Sequence, residues 1–421
     1  MRILWLKTEL LHPVDKGGKI RTYQMLKQLR REHHITYLTL DDGLASIDAR
    51  ERAAEYCHEL VTIAHRVREK FSAGFYTELA RNLFSSLPYA IKKYESAPMR
   101  REIEKRALSG EFDVVICDFL TPVVNLPRNL SCATLLFQHN VEAMIWKRHY
   151  EVQRNPAKKV YLYDQWRKMR GFEREASRRF DWVVAVSRED RELMASEYRL
   201  ENVSDVPTGV DTDYFRPGGM EKAEPHTLVF TGSMDWLPNE DAIRYFTSAI
   251  WPFVKRDVAD AKLIVVGRNP FPGLVELSKS DPSIMVTGRV EDVRPFMDRA
   301  AAYIVPIRIG GGTRLKIYEA MAMEKPIIST TIGAEGLPVE NGVELILADT
   351  PESFARETVR VLKDESYAQA FGTRAAQRVR ESFGWDKVAA EFAAICERAL
   401  RLRGREVKDV GTEASVEQQI V

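Results

Sequence analysis

Cysteine is scarce: Cys57, Cys117, Cys132 and Cys396 are the only four in 421 residues, far apart and with no CxxC pair. That spacing argues against a disulfide framework or a structural zinc site and predicts reduced, mostly buried thiols. Net charge is also nearly missing, since 62 Lys and Arg stand against 61 Asp and Glu. No global field announces nucleic acid or an acidic polymer as the partner, so electrostatic recognition is expected to be local. Long apolar runs are lacking too. Nothing approaches the ~20 residues that span a bilayer, and the opening MRILWLKTELL is too short in its apolar part for a signal peptide. These absences predict a cytoplasmic protein, at most peripheral on the inner face of a membrane. What remains is 45% hydrophobic residues, enough for two substantial cores in a chain of two-domain length.

Apolar runs mark the strands. Ile3 to Leu6, HHITYLTL, Glu59–Ala64, Val114–Cys117, Ala133–Phe137 and Trp182–Val186 are separated by stretches of helical period, the first carrying Ile20, Tyr23, Met25, Leu26 and Leu29. This alternation predicts α/β architecture with a mostly parallel, doubly wound sheet. Residues 141–179 read as helix, broken at Asn155-Pro156. Proline and glycine gather over 207–226, which predicts a linker between a domain over 1–206 and another over 227–384. The second βα series runs through TLVFTG, AKLIVVG, SIMVTG, AAYIVPI, KPIISTT and ELILA. Three of these strands end on glycine, at Gly232, Gly267 and Gly288, where a ligand at the carboxyl edge of the sheet comes close to the backbone. Residues 385–403 form one more helical pattern, expected to pack back on the first domain, and 404–421 reads as a mobile tail.

The strongest chemical signal is PIRIGGGTRLKIYEAMAMEKPIIST, residues 306–330. Gly310, Gly311 and Gly312 follow a strand and precede a helix for which Thr313 is a candidate N-cap. The first N–H groups of such a helix have no intrahelical partner and carry the positive end of its dipole. Arg308, Arg314 and Lys316 add cations at the end where cations oppose the dipole, at a cost of ~0.3 kcal/mol or more each unless an anion is present. A phosphate ligand is the expectation. The GxxxxGK[ST] spacing of a Walker loop is absent. Glu319, one turn on, is a candidate acceptor for the vicinal hydroxyls of a sugar.

This segment, with VPTGVDTDYFRP, TLVFTGSMDWLPNEDA, VTGRVEDVRPFMDRA and the Gly17-Gly18 loop, resembles the retaining glycosyltransferases of the two-domain GT-B fold, family 4, of the kind found in bacterial polysaccharide clusters. The resemblance implies two Rossmann-like, doubly wound domains facing a central cleft. It also implies transfer of a sugar from a nucleotide-diphosphate sugar to a glycan or lipid-linked acceptor, with retention and without metal or cofactor. Glu319 matches the family's ribose-binding glutamate. The glutamate that precedes it in the family, contacting the donor sugar, falls at Gly311 here, so that contact is absent or comes from backbone. The family's cations after the first strand of the nucleotide domain are also missing, because the sequence there is Gly232-Ser233-Met234-Asp235-Trp236. Arg314 and Lys316 are expected to hold the diphosphate instead. Gly17 and Gly18 match the family's glycine loop, and His139, in LLFQHNVE, matches a histidine that faces the donor sugar. Val290 falls where relatives touch the base through backbone.

Cleavage of a glycosyl–phosphate bond leaves a sugar of oxocarbenium character and a diphosphate that gains charge, so fixed N–H dipoles and cations on the phosphate suit the reaction. No DxD motif of the metal-holding kind stands at a strand end. A nucleotide-sugar epimerase would share the architecture, but it calls for more acid/base groups than His139. A catalytically silent scaffold is the non-enzyme alternative, suggested by Gly311. Residues 141–180 hold eleven Lys and Arg against five Asp and Glu, interleaved with Trp146, Tyr150, Tyr161, Tyr163 and Trp166. That excess suits either a solvated helix face or an anionic bilayer.

Overall fold

The computed structural model describes residues 1–45, 47–218, 223–309 and 315–404. The chain divides into two compact units, one made of Met1–Pro207 together with the chain from Ala389 on, the other of Thr208–Val388. From residue 405 on, the expected tail lies outside the described residues.

In the first unit, β1 (Arg2–Lys7), β2 (His34–Asp41), β3 (Glu59–Ala64), β4 (Val114–Asp118), β5 (Ala133–Phe137), β6 (Trp182–Ala185) and β7 (Val203–Asp205) form one sheet in the order β3-β2-β1-β4-β5-β6-β7. Every pairing is parallel. The second unit pairs β8 (Thr227–Thr231), β9 (Lys262–Val266), β10 (Ile284–Gly288), β11 (Ala302–Val305), β12 (Ile327–Ser329) and β13 (Ile346–Leu347), again all parallel, in the order β10-β9-β8-β11-β12-β13. Strands covered by helices on both faces are apolar along their whole length, which is why VVICD, ATLLF and TLVFT read as unbroken runs and are buried throughout.

In each sheet the order reverses once, beside β1 in the first and beside β8 in the second. Loops leaving the carboxyl ends of β1 and β4, or of β8 and β11, therefore run to opposite faces and leave a crevice at the strand ends, the position where open α/β sheets bind ligands. The last helix, Trp385–Leu402, serves both cores. Trp385 lies so close to Gly209 in the second unit that a Cβ there would stand 2.7 Å from its ring. In the first unit Phe392 meets Trp5 and Phe137, with ring centroids 5.7 and 5.0 Å apart. All four cysteines are buried, and no described helix is long and apolar enough to cross a membrane.

Candidate functional site

In the first unit, helix Gly17–Leu29 opens directly on the two glycines, with Lys16 as its N-cap residue and no side chain capping it. Its first N–H groups have no intrahelical acceptor. Gly18 packs against the β4 and β5 ends: a Cβ there would lie 2.9 Å from Cζ of Phe119 and 3.8 Å from Nδ1 of His139, so only glycine lets the helix start this close. Gly17 has no such neighbour.

His139 follows β5 and is buried. Its Nε2 lies 2.9 Å from Oδ1 of Asp118, at the end of β4, and its ring packs on Phe119 at 3.8 Å between centroids. Its Nδ1 meets no hydrogen-bonding partner among the described residues. Asp118 is fully enclosed. Its Oδ2 accepts from Trp5 Nε1 at 2.9 Å and from Thr22 at 2.6 Å, and it lies 3.0 Å from Lys7 Nζ. Burial pushes the Asp118 carboxyl up, but Lys7, His139 and the Thr22 hydroxyl outweigh it and hold it well below the usual carboxylate range. Burial pushes His139 down to about 3 against the pull of Asp118, so the imidazole is neutral. Sequence reading singled out His139 but missed Asp118 and Lys7, whose polar side chains sit in apolar strand text. Beside this cluster, a cavity of about 200 Å³ is lined by Glu9, His12, Lys16, Lys19, Asp41 and Asp42, among others.

In the second unit, the strand-end glycines are neighbours. Gly232 N–H donates to Val266 at 2.9 Å and Gly267 N–H to Gly288 at 3.2 Å. Gly232 has φ +153°, and a Cβ there would lie 2.8 Å from Lys316 Nζ and 2.7 Å from Asn239 Nδ2. Lys316, in helix Leu315–Ala322, donates to Asn239 Oδ1 at 2.9 Å and lies over the Phe230 ring. Asn239 in turn donates to the Ser233 carbonyl at 2.8 Å. The 232–236 turn has no cation of its own, yet Arg268, just beyond β9, reaches it and donates from Nε to Ser233 Oγ at 2.8 Å. The carboxylate of Glu319, half-buried one turn after Lys316, has no hydrogen bond to the side chains or backbone of the described residues. Burial pushes its carboxyl up to about 7, with Lys316 pulling the other way.

The structure thus gathers Gly232, Lys316 and Glu319, and separately Gly18 and His139. Val290 packs partly buried against the second core, two residues past the end of β10. Gly311, Gly312, Thr313 and Arg314 lie outside the described residues. Arg308 departs from the expectation of a cation at that helix start: its guanidinium is held by Asp241 at 2.7 Å and covers the Tyr245 ring. Arg268 escaped sequence reading because its target is 35 residues away.

Residues 16–214 match the family described as Glycosyltransferase Family 4, and residues 225–364 match Glycosyl transferases group 1. An uncharacterized 44.6 kDa protein of the cps region of Klebsiella pneumoniae is 22% identical, over 92% of this chain and 97% of its own. D-inositol 3-phosphate glycosyltransferase of Streptomyces bingchenggensis is 27% identical over 52% of this chain, which spans 53% of that relative's length. Among solved structures, Anabaena Alr3699/HepE in complex with UDP-glucose aligns with a TM-score of 0.58 at 12% identity, covering 94% of this chain and 98% of that one. Both units are therefore glycosyltransferase domains, and the fold is the α/β architecture of two parallel sheets that the sequence predicts.

Proposed function

We propose that this two-domain glycosyltransferase moves a sugar from a nucleoside-diphosphate donor to an acceptor hydroxyl, with retention and without a metal ion, in polysaccharide or glycolipid synthesis. The observation that carries the reading is the turn after β8, where Gly232 and Ser233 lie between Lys316 and Arg268. Two cations beside this turn, Lys316 and Arg268, the second also 3.8 Å from Asp235, suit a diphosphate, and Glu319 beside Lys316 suits the vicinal hydroxyls of a ribose. As the glycosyl–phosphate bond breaks, the leaving diphosphate gains charge, which Lys316 and Arg268 stabilise from beside the turn, with Arg314 as the further cation that the sequence offers. Neutral His139, with its Nε2–H toward Asp118, accepts a hydrogen bond from a sugar hydroxyl at Nδ1. Retention rests on the family resemblance. The donor class is supported by the UDP-glucose bound in HepE, and the polysaccharide setting by the cps-region relative. The cavity lined by Glu9, His12 and Lys19 offers carboxylates and ammonium groups together, which suits the hydroxyls of an acceptor.

A lipid-linked acceptor would bring the enzyme to a membrane. Supporting this, Val152 and Val160 are 74% and 71% exposed on either side of the Asn155-Pro156 turn, next to Lys158 and Lys159.

The test is calorimetric titration with UDP, GDP, ADP and TDP and their sugars. One nucleotide is expected to bind, with the Arg314→Ala/Lys316→Ala double variant raising the donor dissociation constant more than tenfold. An unchanged constant overturns the diphosphate assignment. Release of the nucleoside diphosphate without epimerised sugar separates transfer from epimerase or scaffold.

A further inference from the structure

A buried carboxylate that the proposed chemistry does not use sits behind the His139 loop. Glu173, in helix Pro156–Ser177, has no exposed surface. Four donors converge on it. Its Oε1 accepts from Gln138 Nε2 at 3.1 Å and from the Glu142 N–H at 2.9 Å. Its Oε2 accepts from the Ala143 N–H at 2.9 Å and from the Tyr198 hydroxyl at 2.8 Å. Helix Glu142–Val152 begins at the first of these amides, and Val141, its N-cap residue, has no side chain that caps it. Glu173 therefore supplies from another helix the acceptors that the local sequence lacks; burial pushes its carboxyl up to about 7, while the Ala143 and Glu142 N–H groups and the Tyr198 hydroxyl pull the other way and favour the charged form. The residues it holds, Gln138 on one side and Glu142 and Ala143 on the other, bracket His139.

We infer that Glu173 is a positioning residue: it fixes the 138–143 loop through both flanks and so sets where the His139 ring stands. Burying a carboxylate is unfavourable unless it is fully hydrogen-bonded. Here its donors come from the loop itself and from helix Arg188–Tyr198, so its two oxygens stay satisfied only while the loop keeps this conformation. A solvated glutamate in mid-helix could not do this, and an apolar residue would leave two helix N–H groups buried without acceptors.

This inference rests on the reading of His139 as a donor-sugar contact. The experiment compares wild type with Glu173→Gln, Glu173→Asp and His139→Ala, by amide hydrogen exchange and by steady-state release of nucleoside diphosphate from a panel of UDP- and GDP-sugars. Glu173→Gln puts an amide NH₂ against groups that donate. Exchange over 138–146 is expected to rise at least tenfold without a matching rise in the second unit, and kcat to fall at least tenfold with the donor KM within twofold. Glu173→Asp, which keeps two acceptor oxygens, retains more of both. Tyr198→Phe removes one donor alone and covers the case of a Glu173→Gln protein that does not fold; it gives a smaller rise over the same segment. Unchanged exchange over 138–146, or faster exchange with unchanged kcat, overturns the positioning role while His139→Ala remains inactive. A His139→Ala protein of full activity overturns the donor reading and the positioning role with it.

Discussion

Asp118 Oδ1 stands 2.9 Å from His139 Nε2, while Oδ2 of the same carboxylate is held by Trp5, Thr22 and Lys7. One buried charge thus ties the ends of β1, β4 and β5 to the helix that starts at Gly17. The Asp118–Lys7 pair is enclosed, so its charges have no water to fall back on. Removing the negative partner leaves Lys7 without its counter-charge.

Asp118→Asn is expected to cost about 3–5 kcal/mol of stability, the range for breaking a buried ion pair. Urea denaturation followed by tryptophan fluorescence measures it, and a loss below about 1 kcal/mol would show that Lys7 finds another partner.

His139 is expected to stay neutral from about pH 5 to pH 8, because burial lowers its folded value to about 3. The unfolded chain takes up this proton near 6.5 and the folded protein does not, so this group's contribution is complete above about 6.5 and falls as the pH drops toward 3. NMR of the histidine rings checks the assignment. A His139 resonance that titrates near 6.5 contradicts it.

Glu319 has the opposite sign. Its folded value of about 7 lies above the ordinary 4.5, so the folded state holds the proton more tightly, and this contribution is lost as the pH rises through 7. Glu319→Gln is therefore expected to raise Tm relative to wild type more at about pH 8 than at about pH 5, and to weaken nucleotide binding at least tenfold. A Tm difference that does not change with pH argues against the burial of this carboxyl.

Phe392→Ala opens a hole between Trp5 and Phe137 in the first unit. The expected cost is about 3–5 kcal/mol, read as a lower urea midpoint. A loss of less than 1 kcal/mol would mean that the last helix contributes little to that core.

The strands were legible because a parallel sheet buried on both faces leaves unbroken apolar runs, as in Val114–Cys117 and Ala133–Phe137. The helix break at Asn155-Pro156 was legible for a local reason: Asn155 caps the helix that Pro156 opens. Within the site, Gly232 stood out as a glycine at a strand end and Lys316 as a cation at a helix start after three glycines, whereas Gly18, His139 and Glu319 stood out by matching positions of the family that the sequence resembles. What stayed hidden depends on distance along the chain. Arg308 reads as a cation for the helix start, but Asp241, 67 residues away, holds it, and nothing near Arg268 in sequence points to Ser233. Nothing near Glu173 in sequence reveals that Gln138, Glu142, Ala143 and Tyr198 surround it. The start of the first helix was placed late, at Ile20, because Gly17 and Gly18 are poor helix formers and their place is set by packing against Phe119.

The dual membership of helix Trp385–Leu402 also sets an order of events during synthesis. The first unit leaves the ribosome first, yet Phe392, which fills its core beside Trp5, follows about 185 residues after Pro207. At about 5–20 residues per second, that delay is roughly 10 to 40 s. Through that interval the nascent first unit carries an unfilled aromatic socket while the whole of the second unit, Thr208–Val388, is being made. The domain begun first is the one finished last.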